Sequence, residues 1–241
     1  MMALPTDEIF SGPGHAAVDI RGWADEAQLV AKQDFVEGAL LVGEYPIAFA
    51  PTLPEDDSAG PWMLVDMILS HPGVLQRVLD TQLKLTRWPL DEENLEALEQ
   101  LAARHKRKPK KIRQLYYQVA ANNIRYKHGD ILGFGIWPTL SRSNHSCAPN
   151  ARLCAARNEP LAELLLATRA IRAGEQIAWN YFSDDAFLER DWLERNARLQ
   201  HSFQFLCRCS RCEEEMPQAF ADMSPKERAA AVREQWRALP A

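Results

Sequence analysis

The sequence predicts a mainly β protein that carries a helical insert, an α+β chain. Three observations lead there. Short apolar runs separated by Gly, Pro and Asp fill the chain up to residue 60, helical periodicity takes over from 61 to 123, and short apolar runs return from about residue 131.

Met1 to Arg21 has scattered Gly and Pro and reads as a lead-in with one short strand. Gln28–Lys32 and Ala39–Val42 read as strands joined by a turn over Asp34–Gly38, where Gly38 can take a positive φ. Ile47–Ala50 is a third apolar piece, and Pro51–Gly60 is a loop rich in Pro and Asp. Trp62, Leu64, Val65, Ile68 and Leu69 then form a helical stripe, which Val74, Leu75, Val78, Leu79 and Leu83 continue beyond His71-Pro72-Gly73. Asp91 is the expected N-cap of a helix through Ala103, with Leu95, Leu98 and Leu101 on one face. Lys111–Asn123 is a further helix, with Ile112, Leu115, Tyr116 and Val119 facing inward.

Strands resume over Ile131–Trp137. Ala151–Ala156 and Leu161–Ala167 form a pair across the turn Arg157–Pro160, and Gln176–Tyr181 is a strand after the turn Ala173-Gly174-Glu175. One helix is expected from Asp185 to about Gln200, capped by Ser183 or Asp184. Ser224-Pro225-Lys226-Glu227 is a capping box that opens a final helix through about Leu239.

Composition narrows the function classes. The chain has 241 residues, 46% apolar and 25% charged, an ordinary globular balance. Its net charge of -5 suits a basic protein substrate, but solubility alone accounts for a mildly acidic surface and is the preferred reading. Arg104–Arg113 holds seven Lys or Arg residues broken by Pro109, but no aromatic residue interleaves them. The run is read as a solvated junction between two helices, so nucleic acid is not an expected partner. No apolar run approaches the roughly 20 residues that span a bilayer. Met1–Gly14 carries Asp7 and Glu8 and lacks a basic n-region, so no secretory signal and no membrane association are expected. Five cysteines with a Cys-x-Cys-x-x-Cys cluster make a poor disulfide framework. Reduced thiols, a cytoplasmic setting (nuclear if the source is eukaryotic) and a monomer are expected.

The cysteines point to a metal instead. Zinc in structural sites takes four ligands in a tetrahedron, most often thiolates. Cys207, Cys209 and Cys212 supply three corners from one short loop. Cys147 and Cys154 are the candidates by type for the fourth, with His201 next. Cys147 is preferred, because Asn144-His145-Ser146-Cys147-Ala148-Pro149-Asn150 reads as a turn that fixes its thiol. Four protein ligands leave no open position, so one structural zinc is expected. Cys154 is read as a small core residue.

The same residues carry a resemblance. Asn144-His145-Ser146-Cys147-x-Pro149-Asn150 resembles the signature of the SET-domain protein lysine methyltransferases. Gly174-Glu175-Gln176-Ile177-Ala178-Trp179-Asn180-Tyr181 resembles that family's second signature, and Phe203-x-Phe205-x-Cys207-x-Cys209-x-x-Cys212 its post-SET zinc loop. Gly133-x-Gly135-Ile136-Trp137-Pro138 and Val119-x-x-Asn122 are similar to the SMYD-like branch. The resemblance implies a SET-type fold of small twisted β-sheets with a knot-like core. It divides the chain into N-terminal SET strands (15–60), a helical SET-I insert (61–123), a C-terminal SET core (124–200), a post-SET zinc loop (201–216) and a C-terminal helix (217–241). It also implies S-adenosylmethionine as methyl donor, held by Asn122, Asn144, His145 and Phe205, with Tyr181 as the catalytic tyrosine.

Two departures stand out. With Gly38 aligned to the family's turn glycine, the family's N-terminal Gly-x-Gly falls on Glu26 and Gln28, whose side chains would crowd the cofactor; Gly22-Trp23-Ala24 is a substitute only with an insertion. The SMYD branch carries a zinc-binding MYND module and a long C-terminal helical domain; this sequence has no spare cysteines for the first, and the stretch after Cys212 is too short for the second.

The chemistry asks for a neutral amine aligned with a sulfonium methyl. Free lysine has a pKa of about 10.4, so an apolar channel helps by disfavouring the ammonium. Trp179, Phe182 and Phe203 are the expected channel walls. The family often has tyrosine at the position of Phe203; phenylalanine there leaves room for more than one methylation. The leading reading is methyl transfer to lysine in a protein or peptide. The rivals are a SET-like, zinc-stabilised binding module without methyl transfer, and a SET-fold enzyme repurposed for a small molecule.

Overall fold

A computed structural model describes residues 17–22, 27–52, 60–81, 83–87, 89–182 and 184–238. The first strands are β1 (Val18–Arg21), β2 (Gln28–Ala31), β3 (Leu40–Glu44) and β4 (Ala48–Pro51). β1 and β2 form an antiparallel ribbon. Gly38 has φ 79, and a Cβ there would meet nothing. Its role is therefore the left-handed backbone of the turn and not close packing.

The insert comprises α1 (Gly60–Ser70), α2 (Pro72–Asp80), α3 (Glu92–Arg104) and α4 (Pro109–Asn122). The Asp91 carboxylate caps α3 by accepting from the Asn94 N–H at 2.9 Å. The apolar stripes meet in one core: Leu64, Val65 and Ile68 pack with Leu98, Ile112 and Val119, and with Ala48 and Ile136 from the strands beneath. Leu79 and Leu95, expected to face inward, are 52% and 39% exposed. That core takes Leu75 and Val78 from α2 and Leu98, Leu101 and Ala102 from α3, which leaves Leu79 and Leu95 at the rim. Leu83 is buried but does not prolong a helix; α2 ends at Asp80 and Thr81 is extended. The basic run forms the corner between α3 and α4, where Arg104 and His105 both pair with Asp66.

Two three-stranded sheets follow. β5 (Ile124–His128) and β6 (Ile131–Ile136) pair in an antiparallel hairpin, and β4 completes the order β4-β6-β5. Gly133 sits where β6 crosses β4; a Cβ there would lie 2.3 Å from the Ala50 carbonyl oxygen. β8 (Ala151–Ala155) and β9 (Glu163–Ala167) pair antiparallel as expected, and β3 adds to β9. A second core joins these layers, with Leu29, Leu41, Tyr126, Trp137, Leu165 and Ile177 at its centre.

The predicted strand Gln176–Tyr181 is divided between partners. Gln176 bridges to Val30 and the Ile177 N–H donates to Leu29 O. Only β10 (Ala178–Trp179) forms a ladder, parallel to β7 (Asn144–His145).

The single helix expected over Asp185–Gln200 is two: α5 (Asp185–Glu189) and α6 (Trp192–Phe203). Arg190 is extended, and Asp191 starts a new helix by accepting from the Glu194 N–H at 2.8 Å. α7 (Ser210–Glu214) and α8 (Gln218–Ala221) are short. The capping box forms reciprocally, Ser224 N–H to Glu227 and Glu227 N–H to Ser224, and opens α9 (Pro225–Ala238); Leu239 lies outside the described residues. Val232 of α9 and Leu199 of α6 share a third core with the cysteines. Among the described residues no helix is long and apolar enough to cross a membrane.

Candidate active site

The site begins with the parallel pair β7–β10, which sets Asn144 beside Ala178 and His145 beside Trp179. Side chains lock this pairing. Asn150 Oδ1 accepts from the Ala178 N–H at 2.9 Å, and its Nδ2 donates to Gln176 O and to Glu175. Ser143 Oγ donates to Ile177 O. Glu44, buried, accepts from the Thr139 and Leu140 N–H groups and so caps the short 3-10 turn Leu140–Arg142 that leads into β7.

Tyr181 leaves β10 into a cluster of rings. Its centroid lies 5.1 Å from Trp179, 5.2 Å from Phe203, 5.4 Å from His145 and 6.3 Å from Phe205. Phe182 packs on Phe203 at 5.4 Å and stacks on Phe187 at 4.3 Å. Phe203 ends α6, and Gln204 turns the chain with a left-handed φ of 62, which lets Phe203 and Phe205 both reach Tyr181. The Tyr181 hydroxyl donates to Ser143 O at 3.1 Å, and Trp179 Nε1 donates to the same carbonyl. Burial pushes the Tyr181 pKa well above its ordinary value, so the phenol keeps its proton.

Behind the rings are the thiols. Cys147, Cys207, Cys209 and Cys212 place their sulfur atoms within 4.8 Å of one another. A tetrahedron with Zn–S near 2.3 Å has edges of about 3.8 Å, so the set fits a closed structural zinc. The donor chemistry agrees. Crowding of the four thiols holds Cys209 below the ordinary thiol pKa and pushes Cys147 above it. Arg195 and Asn196 point nitrogen atoms at Cys212 Sγ, both at 3.8 Å. Burial opposes the charge on Arg195, but Glu215 and the thiols outweigh it and keep the guanidinium charged. Cys154 instead lies in β8 opposite Leu164, and His201 stacks on Trp236.

His145 stands between rings and thiols. Its Nδ1 accepts from the Tyr181 N–H and its Nε2 lies 3.4 Å from Cys147 Sγ. Burial lowers its pKa to about 4, so the ring is neutral.

Asn122 and Asn144 lie at the opposite, polar end. Asn122 is 2% exposed, and its amide is committed to Lys84: Oδ1 accepts from the Lys84 N–H and Nδ2 donates to Lys84 O. The Lys84 ammonium in turn donates to Asn144 Oδ1. Asn144 Nδ2 donates to Ala27 O at 3.4 Å, between the two positions where glycines were expected. Gln28 pairs with Arg21 in the β1–β2 ribbon, and Glu26 lies outside the described residues.

Sequence reasoning missed Lys84, Arg195 and the packing role of Phe187. Lys84 follows a buried leucine in an irregular stretch, where no period signals a role. Arg195 was hidden by the assumption of one continuous helix. Arg211, which donates to Cys147 O and Leu188 O, belongs with them as a clasp on the cysteine loop.

Fold and site together define a small-sheet α+β protein with a tyrosine in an aromatic cage and a closed thiol set behind it. Residues 27–182 match the family model described as SET domain, and the chain belongs to the SET-domain family. It resembles the SMYD-like branch: it is 37% identical over 82 residues to the histone-lysine N-methyltransferase SMYD3 of Mus musculus, covering 34% of this chain and 18% of that protein. It is 36% identical over 104 residues to the protein-lysine N-trimethyltransferase SMYD5 of Gallus gallus, covering 42% of this chain and 23% of that one. The matched segments therefore span about a fifth of the length of these relatives. A solved structure, the SET domain of LSMT bound to lysine and AdoHcy, aligns with TM-score 0.49 and 13% identity over 79% of this chain and 53% of that one.

Proposed function

We propose that this protein is an S-adenosylmethionine-dependent methyltransferase that N-methylates lysine in a protein or peptide. The observation that supports this most is the position of Tyr181, ringed by Trp179, Phe203, His145 and Phe205 beside the Asn144-His145 strand. The residues fit the cofactor in kind. Phe205 offers an aromatic face, Asn144 with Lys84 offers a polar end, and His145 adds no charge. Asn144, His145 and Phe205 would hold it, with Asn122 acting through Lys84. When bound, S-adenosylmethionine supplies an electrophilic methyl on a sulfonium.

The chain's own residues do the rest. Trp179, Phe182 and Phe203 form apolar walls that favour the neutral amine of the incoming lysine. The Tyr181 hydroxyl has given its hydrogen to Ser143 O, so its oxygen lone pairs remain to orient the amine. A phenol whose pKa is raised by burial is a poor base, which assigns Tyr181 to alignment and not to proton removal. One zinc on the four thiols would hold the loop that carries Phe203 and Phe205. Five unpaired cysteines suit a reducing, cytoplasmic setting.

Calorimetry with S-adenosylmethionine tests the reading. Binding is expected, and Tyr181→Phe should cut transfer to a lysine peptide while sparing binding. No heat at millimolar cofactor would leave a zinc-stabilised binding module in place of an enzyme.

A further inference from the structure

We infer that Lys84 is the cofactor's carboxylate ligand: a cation delivered by the helical insert to pair with the amino-acid end of S-adenosylmethionine or S-adenosylhomocysteine. The inference rests on the methyltransferase reading above and extends it to a residue that no motif contains.

The first support is placement. Lys84 is no loose surface lysine. One side chain, Asn122, holds both of its backbone polar groups, the N–H at 3.2 Å and the carbonyl at 2.8 Å. Asn122 is itself buried and anchored, with Nδ2 on Gln118 O at 2.7 Å and its own carbonyl accepting from Ser141 Oγ at 2.7 Å. Leu83, the residue just before Lys84, is buried in the insert core. Lys84 is thus fixed on the end of α4, and it aims a half-buried ammonium at β7.

The second support is chemistry. The ammonium rests on Asn144 Oδ1 in the strand that also carries His145. The other atom of that amide reaches Ala27 O, so three segments of the chain converge on one polar corner. The opposite side of the site is aromatic, with Phe205 against Tyr181 and His145. A ligand with an aromatic base at one end and a zwitterionic amino acid at the other matches this division. A lysine ammonium has three donors and no acceptor, so it complements the carboxylate of that amino acid. Asn122, read from the sequence as a direct cofactor contact, becomes a positioning residue that acts through Lys84.

The test compares two ligands on the full chain by calorimetry. S-adenosylhomocysteine carries the amino-acid end; 5′-methylthioadenosine keeps the adenosine and thioether but lacks it. Lys84→Met should weaken S-adenosylhomocysteine by roughly tenfold or more and leave 5′-methylthioadenosine within about twofold. Lys84→Arg should recover most of the loss. Unchanged or tighter S-adenosylhomocysteine binding in Lys84→Met would overturn the inference, the tighter result marking Lys84 as a plug. Equal losses on both ligands, or no recovery with arginine, would overturn it in favour of a structural role. Wild-type protein that binds neither ligand would sink the methyltransferase reading itself, and this inference with it.

Discussion

His145 Nδ1 accepts a hydrogen bond from the backbone N–H of Tyr181 at 3.2 Å. The tautomer follows. An accepting Nδ1 leaves the proton on Nε2, which then donates to Cys147 Sγ, 3.4 Å away. One neutral imidazole therefore joins the proposed catalytic tyrosine to a proposed metal ligand. His145→Ala removes both bonds while leaving all four thiols. Methyl transfer should fall by about 10- to 100-fold with zinc content unchanged. Metal analysis beside a rate measurement checks this, and an unchanged rate would break the proposed link.

Removal of the metal should act locally. The thiols belong to a core shared with α6 and α9, whereas the insert has a core of its own. Cys209→Ser, or a strong chelator, should release zinc and abolish hydrogen-exchange protection over residues 203–216. Protection over residues 60–122 should persist. A full zinc equivalent retained by Cys209→Ser would exclude the four-thiol set.

Glu163 governs the pH dependence of stability. It is 4% exposed, its Oε2 has no hydrogen-bond partner, and burial raises its pKa to about 8. In the unfolded chain the carboxyl ionises near its ordinary 4.5. Between those values the folded state holds the extra proton, so stability declines as pH rises from about 4.5 to about 8. Glu163→Gln should flatten this slope and stabilise the protein at pH 8 by up to ~4 kcal/mol. Denaturant midpoints at both ends of the window decide it; a parallel slope in the variant would assign the effect elsewhere.

Asp191 separates α5 from α6 through its bond to the Glu194 N–H. Asp191→Ala should cost about 1 kcal/mol, read as a lower denaturant midpoint with an unchanged slope. No loss would show that packing of Trp192 alone sets the helix start.

That cap also shows what could be read in advance. The capping box at Ser224 was recognised because proline follows it, and its reciprocal bonds formed. Asp191-x-x-Glu194 has the same logic, but continuous apolar periodicity on both sides masked it. β5 alternates inward Ile124 and Tyr126 with outward Arg125 and Lys127, a clean period of two. From the sequence, strands are expected to resume only at Ile131, which leaves this one unassigned. The α+β layout was legible because stripes and turns are local signals. The clustering of the four thiols was also legible, since metal chemistry restricts the partners. Lys84 was not. Its role depends on Asn122 and Asn144, which the fold, and not the local pattern, brings beside it.

The parallel pairing of Asn144 with Ala178 and His145 with Trp179 has a kinetic consequence. β8 and β9 lie between those strands in sequence and pair with each other antiparallel, a short-range closure. Local contacts form early, and parallel pairing across an intervening hairpin is slow. The hairpins and the insert are therefore expected to fold first, with the Tyr181 cage closing last. Cys207, Cys209 and Cys212 are near neighbours in sequence and can capture a metal before that step. Cys147 would then be the final thiolate to arrive, so its ligation would mark the moment at which a folding chain becomes a finished one.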